Sequence, residues 1–141
     1  VAGVERVPVL SLGDVLLVSI QVDLEDRVAV QLQEDLAERI VSSGVHGVLI
    51  DITGLEIVDS FVGRMLATMA SVSKVLDAET VVVGMRPAVA ITLVELGLGL
   101  HGIRTALNVE LGLEMLRAAR PVSAWQEQAW EADDEEAAPV S

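Results

Sequence analysis

Two stretches of this chain, Val48-Leu49-Ile50 and Val81-Val82-Val83, are unbroken apolar runs of strand length, separated by residues spaced for a helix. Continuous apolarity over so few positions marks strands buried on both faces, as in a parallel sheet. They read as strands over residues 47–51 and 80–84. Between them Val62, Met65, Leu66, Met69, Val72 and Leu76 recur every three or four positions, which predicts a helix from about Ser60 to Leu76. Upstream, Ala29, Leu32, Leu36 and Ile40 line one face of an earlier helix, with Asp23 as its cap, Gly44 as its stop, and Asp35 and Arg39 spaced for an outward ion pair. Residues 7–10 and 15–18 flank the turn signal Gly13-Asp14 and read as a hairpin, with Pro8 assigning the first strand to a sheet edge. Pro87 opens a short helix through Leu96. A short strand near 103–106 and a last helix from Asn108 to about Arg120 complete the pattern, with Arg117 and Arg120 at the negative helix end. The order implies an α/β fold: a mixed, mostly parallel sheet with an antiparallel edge hairpin strand and about four helices.

Composition places a boundary on this pattern. The 141 residues suit one domain, 52% hydrophobic and only 2% aromatic, so Val, Leu, Ile and Ala must build the core. Periodicity fails beyond Pro121, which divides the chain into a domain over 5–120 and an acidic tail over 121–141, expected to be flexible. The tail holds six acids and no base, leaving −7 of the total −13 for residues 1–120. An acidic body with an acidic tail repels nucleic acid and anionic lipid, so neither is an expected partner. Trp125 and Trp130 lie in the tail; it is either loosely packed or docks a short segment on the domain or on a partner. The chain has no cysteine, no signal-like start and no apolar run of membrane-spanning length, which fits a cytoplasmic location.

Most chemical motifs fail on context. Residues 97–102 match G-x-G-x-x-G, but a helix precedes them and a strand follows, the reverse of a dinucleotide fingerprint. These glycines are better read as ending the Pro87 helix. His46 and His101 lack ligand-spaced partners and read as surface histidines, so no metal is expected. Neither a G-x-S-x-G elbow nor a P-loop lysine is present. Asp51, at a strand end, is read as a carboxylate that hydrogen-bonds the following loop rather than a phospho-acceptor, because the only lysine, Lys74, sits in a helix.

Ser60 survives this elimination. It stands at a helix start, where unpaired N–H groups and the macrodipole suit either a capping hydroxyl or a phosphate. Ser60 or Asp59 could supply the cap. Phe61 is either a surface anchor or packing beneath the loop. Asp51, Glu56 and Asp59 crowd negative charge nearby, and Thr68, Ser71, Ser73 and Thr92 are other hydroxyls open to modification.

The segments Leu16-Leu17-Val18-Ser19-Ile20-Gln21, Gln33-Glu34-Asp35-Leu36, Val58-Asp59-Ser60-Phe61 and Arg86-Pro87-Ala88-Val89-Ala90-Ile91-Thr92-Leu93-Val94-Glu95-Leu96-Gly97 carry a resemblance. Together, across about residues 5–118, they resemble the STAS-domain scaffold proteins of bacterial stressosomes, the RsbS type, within the anti-sigma-factor antagonist superfamily. That superfamily usually has a second small hydroxyl residue after Asp-Ser; here Phe61 takes its place, as in the scaffold branch. The resemblance implies a single STAS domain, a non-enzymatic regulator without cofactor, and Ser60 as a phosphorylation site. It also implies Asp59, Phe61 and Arg64 as partner-binding residues. The implied partners are paralogous sensor proteins with C-terminal STAS domains, which join it in a large homo- and hetero-oligomeric complex. A switch serine kinase is held by that complex and released on phosphorylation, and a phosphatase resets it. Two other readings stand beside this one: a stand-alone anti-sigma-factor antagonist switched at Ser60, and a small-ligand or nucleotide-binding domain using residues 97–102.

Overall fold

The structure, a computed structural model, describes residues 7–21, 24–97 and 103–118. Asp23, His101, Arg120, both tryptophans and the acidic stretch lie outside the described residues. Strands β1 (Val9–Leu12) and β2 (Val15–Ser19) form a hairpin. Helices and strands then alternate as α1 (Asp26–Ser43), β3 (Gly47–Asp51), α2 (Ser60–Val75), β4 (Glu79–Val83), α3 (Pro87–Glu95), β5 (Arg104–Ala106) and α4 (Val109–Ala118). The sheet order is β1-β2-β3-β4-β5, with β1 antiparallel to β2 and the remaining neighbours parallel. This is the predicted architecture.

Leu12 pairs directly with Val15 across a turn of Gly13 and Asp14, with Gly13 at φ 63°. So tight a turn keeps Ser11 and Leu12 in register with Leu16 and Val15, and β1 runs two residues past the predicted 7–10. In the central strands, Val48, Leu49, Ile50, Val81, Val82 and Val83 are all fully buried. Alternation along each strand divides them between two faces. Val48, Ile50 and Val82 join Leu16 and Val18 beneath α1, α2 and α3, where they meet Leu32, Leu36, Leu66, Met69 and Leu93. Successive parallel crossovers step across the sheet in one direction, which places those three helices on the same face. Leu49, Val81 and Val83 face the other way, with Val15, toward Leu116 of α4.

Among the described residues α4 is the one helix on that second face, and it comes close. A Cβ on Gly112 would stand 2.5 Å from Leu49 Cδ2 and 2.8 Å from Val83 Cγ1, and one on Gly47 would meet Leu116 Cδ1 at 2.9 Å. Helix ends follow their residue types. Gly44, at φ 68°, closes α1 with its N–H on Ile40 O at 2.9 Å, and Asn108 Oδ1 accepts from Leu111 N at the start of α4. Past α2, Ala78 N donates to Ser73 O and Asp77 N to Lys74 O, a Schellman closure with Asp77 left-handed at φ 68°. Pro87 opens α3 as predicted, and Gly97 at φ 74° ends it with its N–H on Val94 O. Arg39 turns its guanidinium to the edge strand, donating to Val9 O at 2.8 Å and Ser11 Oγ at 2.6 Å.

Three local expectations are corrected. The N-cap of α1 is Glu25, without a side-chain cap bond, because Val28 N and Ala29 N both close on Glu25 O. On α2, Val72 and Leu76 are only half-buried, whereas Gly63 and Ser73 are buried; the helix ends at Val75. His46 is no surface histidine: its side chain is 11% exposed, with Nε2 donating to Leu116 O at 3.1 Å and Nδ1 lying 3.4 Å from Asp14 Oδ2. It precedes β3, directly under the last turn of α4, and satisfies one of the carbonyls a helix end leaves open. Replacing it with alanine (His46→Ala) is expected to cost about 1–2 kcal/mol, by loss of that bond and of packing. A lowered urea midpoint at unchanged slope is the expected result; an unchanged midpoint would show that the ring does not hold α4.

Candidate functional site

The C-terminal ends of β2, β3 and β4 lie side by side, the edge at which open α/β sheets place their binding loops. Residues 52–59 run from there to α2. Asp51 acts as predicted: its Oδ1 accepts from Thr53 N at 2.9 Å and Thr53 Oγ1 at 2.6 Å. Ile52 N extends the ladder to Val83 O, and Leu55 N turns back to Ile52 O. Ile52, Leu55 and Val58 are buried and pin the loop, while Glu56 and Ile57 project into solvent, Ile57 being 80% exposed.

The end of β4 completes the hold. Gly84 has φ 75°, and a Cβ there would stand 1.9 Å from Thr53 Oγ1 and 3.0 Å from Thr53 Cα. Arg86, the N-cap of α3, donates from Nη2 to Thr53 O at 3.3 Å, and its Nη1 lies 4.0 Å from Glu56 Oε1. Sequence reasoning assigned neither residue to the site. The available signal was a glycine directly after a buried strand, then one of only nine cations just before a helix-opening proline.

Asp59, rather than Ser60, caps α2. Its backbone is extended (φ −102°, ψ −178°) and its Oδ1 accepts from Val62 N at 2.9 Å. Because Gly63 N closes the first turn on Asp59 O, Ser60 becomes the first helical residue. Its hydroxyl has no hydrogen-bond partner among the described residues, and neither do the N–H groups of Ser60 and Phe61. Ser60 is half-buried. Phe61 is half-buried too: it packs against the core while part of its side chain stays at the surface. Arg64 is exposed one turn further on. The first turns of α2 therefore bring Asp59, Ser60, Phe61 and Arg64 together.

The other hydroxyls differ in access. Ser73 is fully buried with Oγ donating to Met69 O, and Thr92 Oγ1 donates to Ala88 O. Thr68 and Ser71 are exposed further along α2. Among the described residues no cluster of three or more His, Cys, Asp or Glu could hold a metal, and no helix is long and apolar enough to cross a membrane. What the site offers chemically is a hydroxyl beside two open N–H donors at the positive end of a helix, next to a half-buried aromatic.

A five-stranded sheet led by an antiparallel hairpin, otherwise parallel and packed with four helices, is the architecture of the class of STAS domains. The STAS domain matches residues 6–111, and the chain belongs to that family. Within it the chain is similar to a serine-to-glutamate form of RsbS from Moorella thermoacetica: 41% identity, covering 80% of this chain and 96% of that one, with a TM-score of 0.72. A chain in a structure of the stressosome, described as a signal integration and transduction hub, is 42% identical, with coverage of 81% and 100% and a TM-score of 0.72. The RsbT co-antagonist protein RsbRA of Bacillus subtilis (strain 168) is 30% identical over 86 residues, 61% of this chain and 31% of RsbRA. This chain thus spans about a third of the length of that relative.

Substitutions at two positions test the loop-to-helix geometry. Asp59→Ala is expected to lower stability by about 1 kcal/mol through loss of the cap, and Asp59→Asn to restore most of it; equal urea midpoints for all three proteins would refute the cap. Gly84→Ala is expected to cost at least about 1–2 kcal/mol, from its left-handed backbone alone, and to displace Thr53. The Thr53 amide resonance reports that displacement, and its constancy would count against the contact.

Proposed function

We propose that this chain is a scaffold subunit of a stressosome-type complex, which holds a switch serine kinase at the start of α2 and releases it when Ser60 is phosphorylated. The observation that carries this reading is the Ser60 hydroxyl, without a hydrogen-bond partner among the described residues and presented at the first position of a capped helix in a STAS chain so similar to RsbS. Its co-assembly partners are RsbR-type paralogues, and a phosphatase returns the serine to its unmodified state.

In the unmodified form, exposed Ile57 and half-buried Phe61 supply apolar contact, while Asp59 and Arg64 frame it with charge. Kinase action transfers the γ-phosphoryl group of ATP to Ser60 Oγ, with loss of the hydroxyl proton and formation of ADP. The phosphate brings roughly −1.5 to −2 charges. Within the chain it is favoured by the open N–H groups of Ser60 and Phe61 and by Arg64 at i+4, but opposed by Asp59 and Glu56. At a partner interface the same charge must be desolvated or matched, and roughly 1.4 kcal/mol of mismatch weakens binding tenfold. Modification changes the surface and leaves the core intact, because Asp59 still caps the helix.

Immobilised chain should retain the cognate kinase both as wild type and as Ser60→Ala, retain it less as Ser60→Asp, and lose it after treatment with ATP. Equal retention by wild type, Ser60→Ala and the phosphorylated form would sink the reading.

A further inference from the structure

The sheet edge opposite the hairpin is formed by β5, three residues long and last in the strand order, with α3 and α4 on either side of it. Along it runs a groove of about 670 Å³ whose apolar lining includes Met85, Leu107, Leu111 and Met115. Leu107 is 82% exposed and Leu111 40% exposed. Ala118, the last residue of α4, also lines this groove, so the segment that follows leaves the helix at the groove's own rim. We propose that the groove is occupied by Trp125 of the same chain.

Tether length, chemistry and charge select this occupant. Trp125 lies seven positions past Ala118, and an extended span of that length reaches up to roughly 25 Å. Leu111 lies only about 10 Å back along the helix axis from Ala118. Proline at 121 has no backbone N–H with which to continue a helix. The thioethers of Met85 and Met115 adapt to an indole ring and make favourable sulfur–aromatic contacts. Among the described residues the lining holds one cation, Arg104, and one acid, Glu114. Arg104 suits Glu127, two residues past Trp125, whereas Glu114 repels the denser acidic run at 133–136 that follows Trp130. Trp125 lies between the uncharged Ala124 and Gln126, while Trp130 is followed directly by Glu131 and would carry that charge with it. The docked ring covers Leu107 and Leu111, and any partner that uses the β5 edge must displace it. None of this depends on the switch reading of Ser60.

Trp125 and Trp130 are the only tryptophans, so intrinsic fluorescence of the full chain reports on them alone. In the Trp130→Phe chain, the remaining Trp125 should emit to the blue of N-acetyltryptophanamide and resist acrylamide several-fold more than Trp130 does in the Trp125→Phe chain. Adding Leu107→Asp or Leu111→Asp to the Trp130→Phe chain should return emission to that of hydrated indole, with far-UV circular dichroism unchanged. Hydrated emission from Trp125 at the outset would overturn the proposal. So would a blue shift that survives both aspartate variants, which would place the ring elsewhere. A blue shift that grows with protein concentration would assign the groove to a second copy and overturn it as well.

Discussion

Parallel pairing of β3 with β4 is the constraint on which the rest of the structure depends. Three consecutive apolar residues in each strand are fully buried, so neither face of the central sheet can be left to water. Crossovers that step in one direction place α1, α2 and α3 on one face and leave the other uncovered. Covering it falls to α4, and that is why glycine stands at 47 and 112, where any side chain would hold the helix off the sheet. The same register sets Asp51 beside Val83, so the loop leaving β3 must pass over the first residues after β4. Gly84 and Arg86 receive it there.

The loop is consequently held from several independent directions. Its apolar residues sink into the core, its turn closes on Asp51, and its backbone is gripped from the neighbouring strand end by Arg86. What remains free among the described residues is narrow: the side chain of Ile57 and the hydroxyl of Ser60. Under the proposed function, a surface held in this way would present the kinase with a fixed target, and a phosphate on Ser60 would act on recognition rather than be absorbed by local rearrangement.

Much of this was legible in the sequence because the signals were local. Continuous apolar runs named the buried strands, three- and four-residue spacing named the helices, and Pro87 and Gly44 marked where helices start and stop. The strand-end role of Asp51 could be read the same way. What escaped were contacts across long sequence separations. His46 meets Leu116 and Asp14, Arg86 meets Thr53, and Gly84 makes room for Thr53, yet nothing in the immediate neighbourhood of these residues announces a distant partner. At the helix start the sequence left two capping candidates one position apart. The choice between them rested on which carbonyl closes the first turn, and Gly63 N settles it on Asp59.

That single-position offset has an evolutionary consequence. Stability at the start of α2 is the business of Asp59, and the hydroxyl of its neighbour contributes no hydrogen bond within the described chain. Position 60 can therefore pass through serine, threonine or alanine without a detour through an unstable intermediate, since no cap is lost along the way. Duplicated domains of this type are free to diverge in the chemistry of one residue while inheriting an unaltered fold. An ancestor of this kind could give rise to descendants with and without a hydroxyl at this position by single steps, each of them foldable.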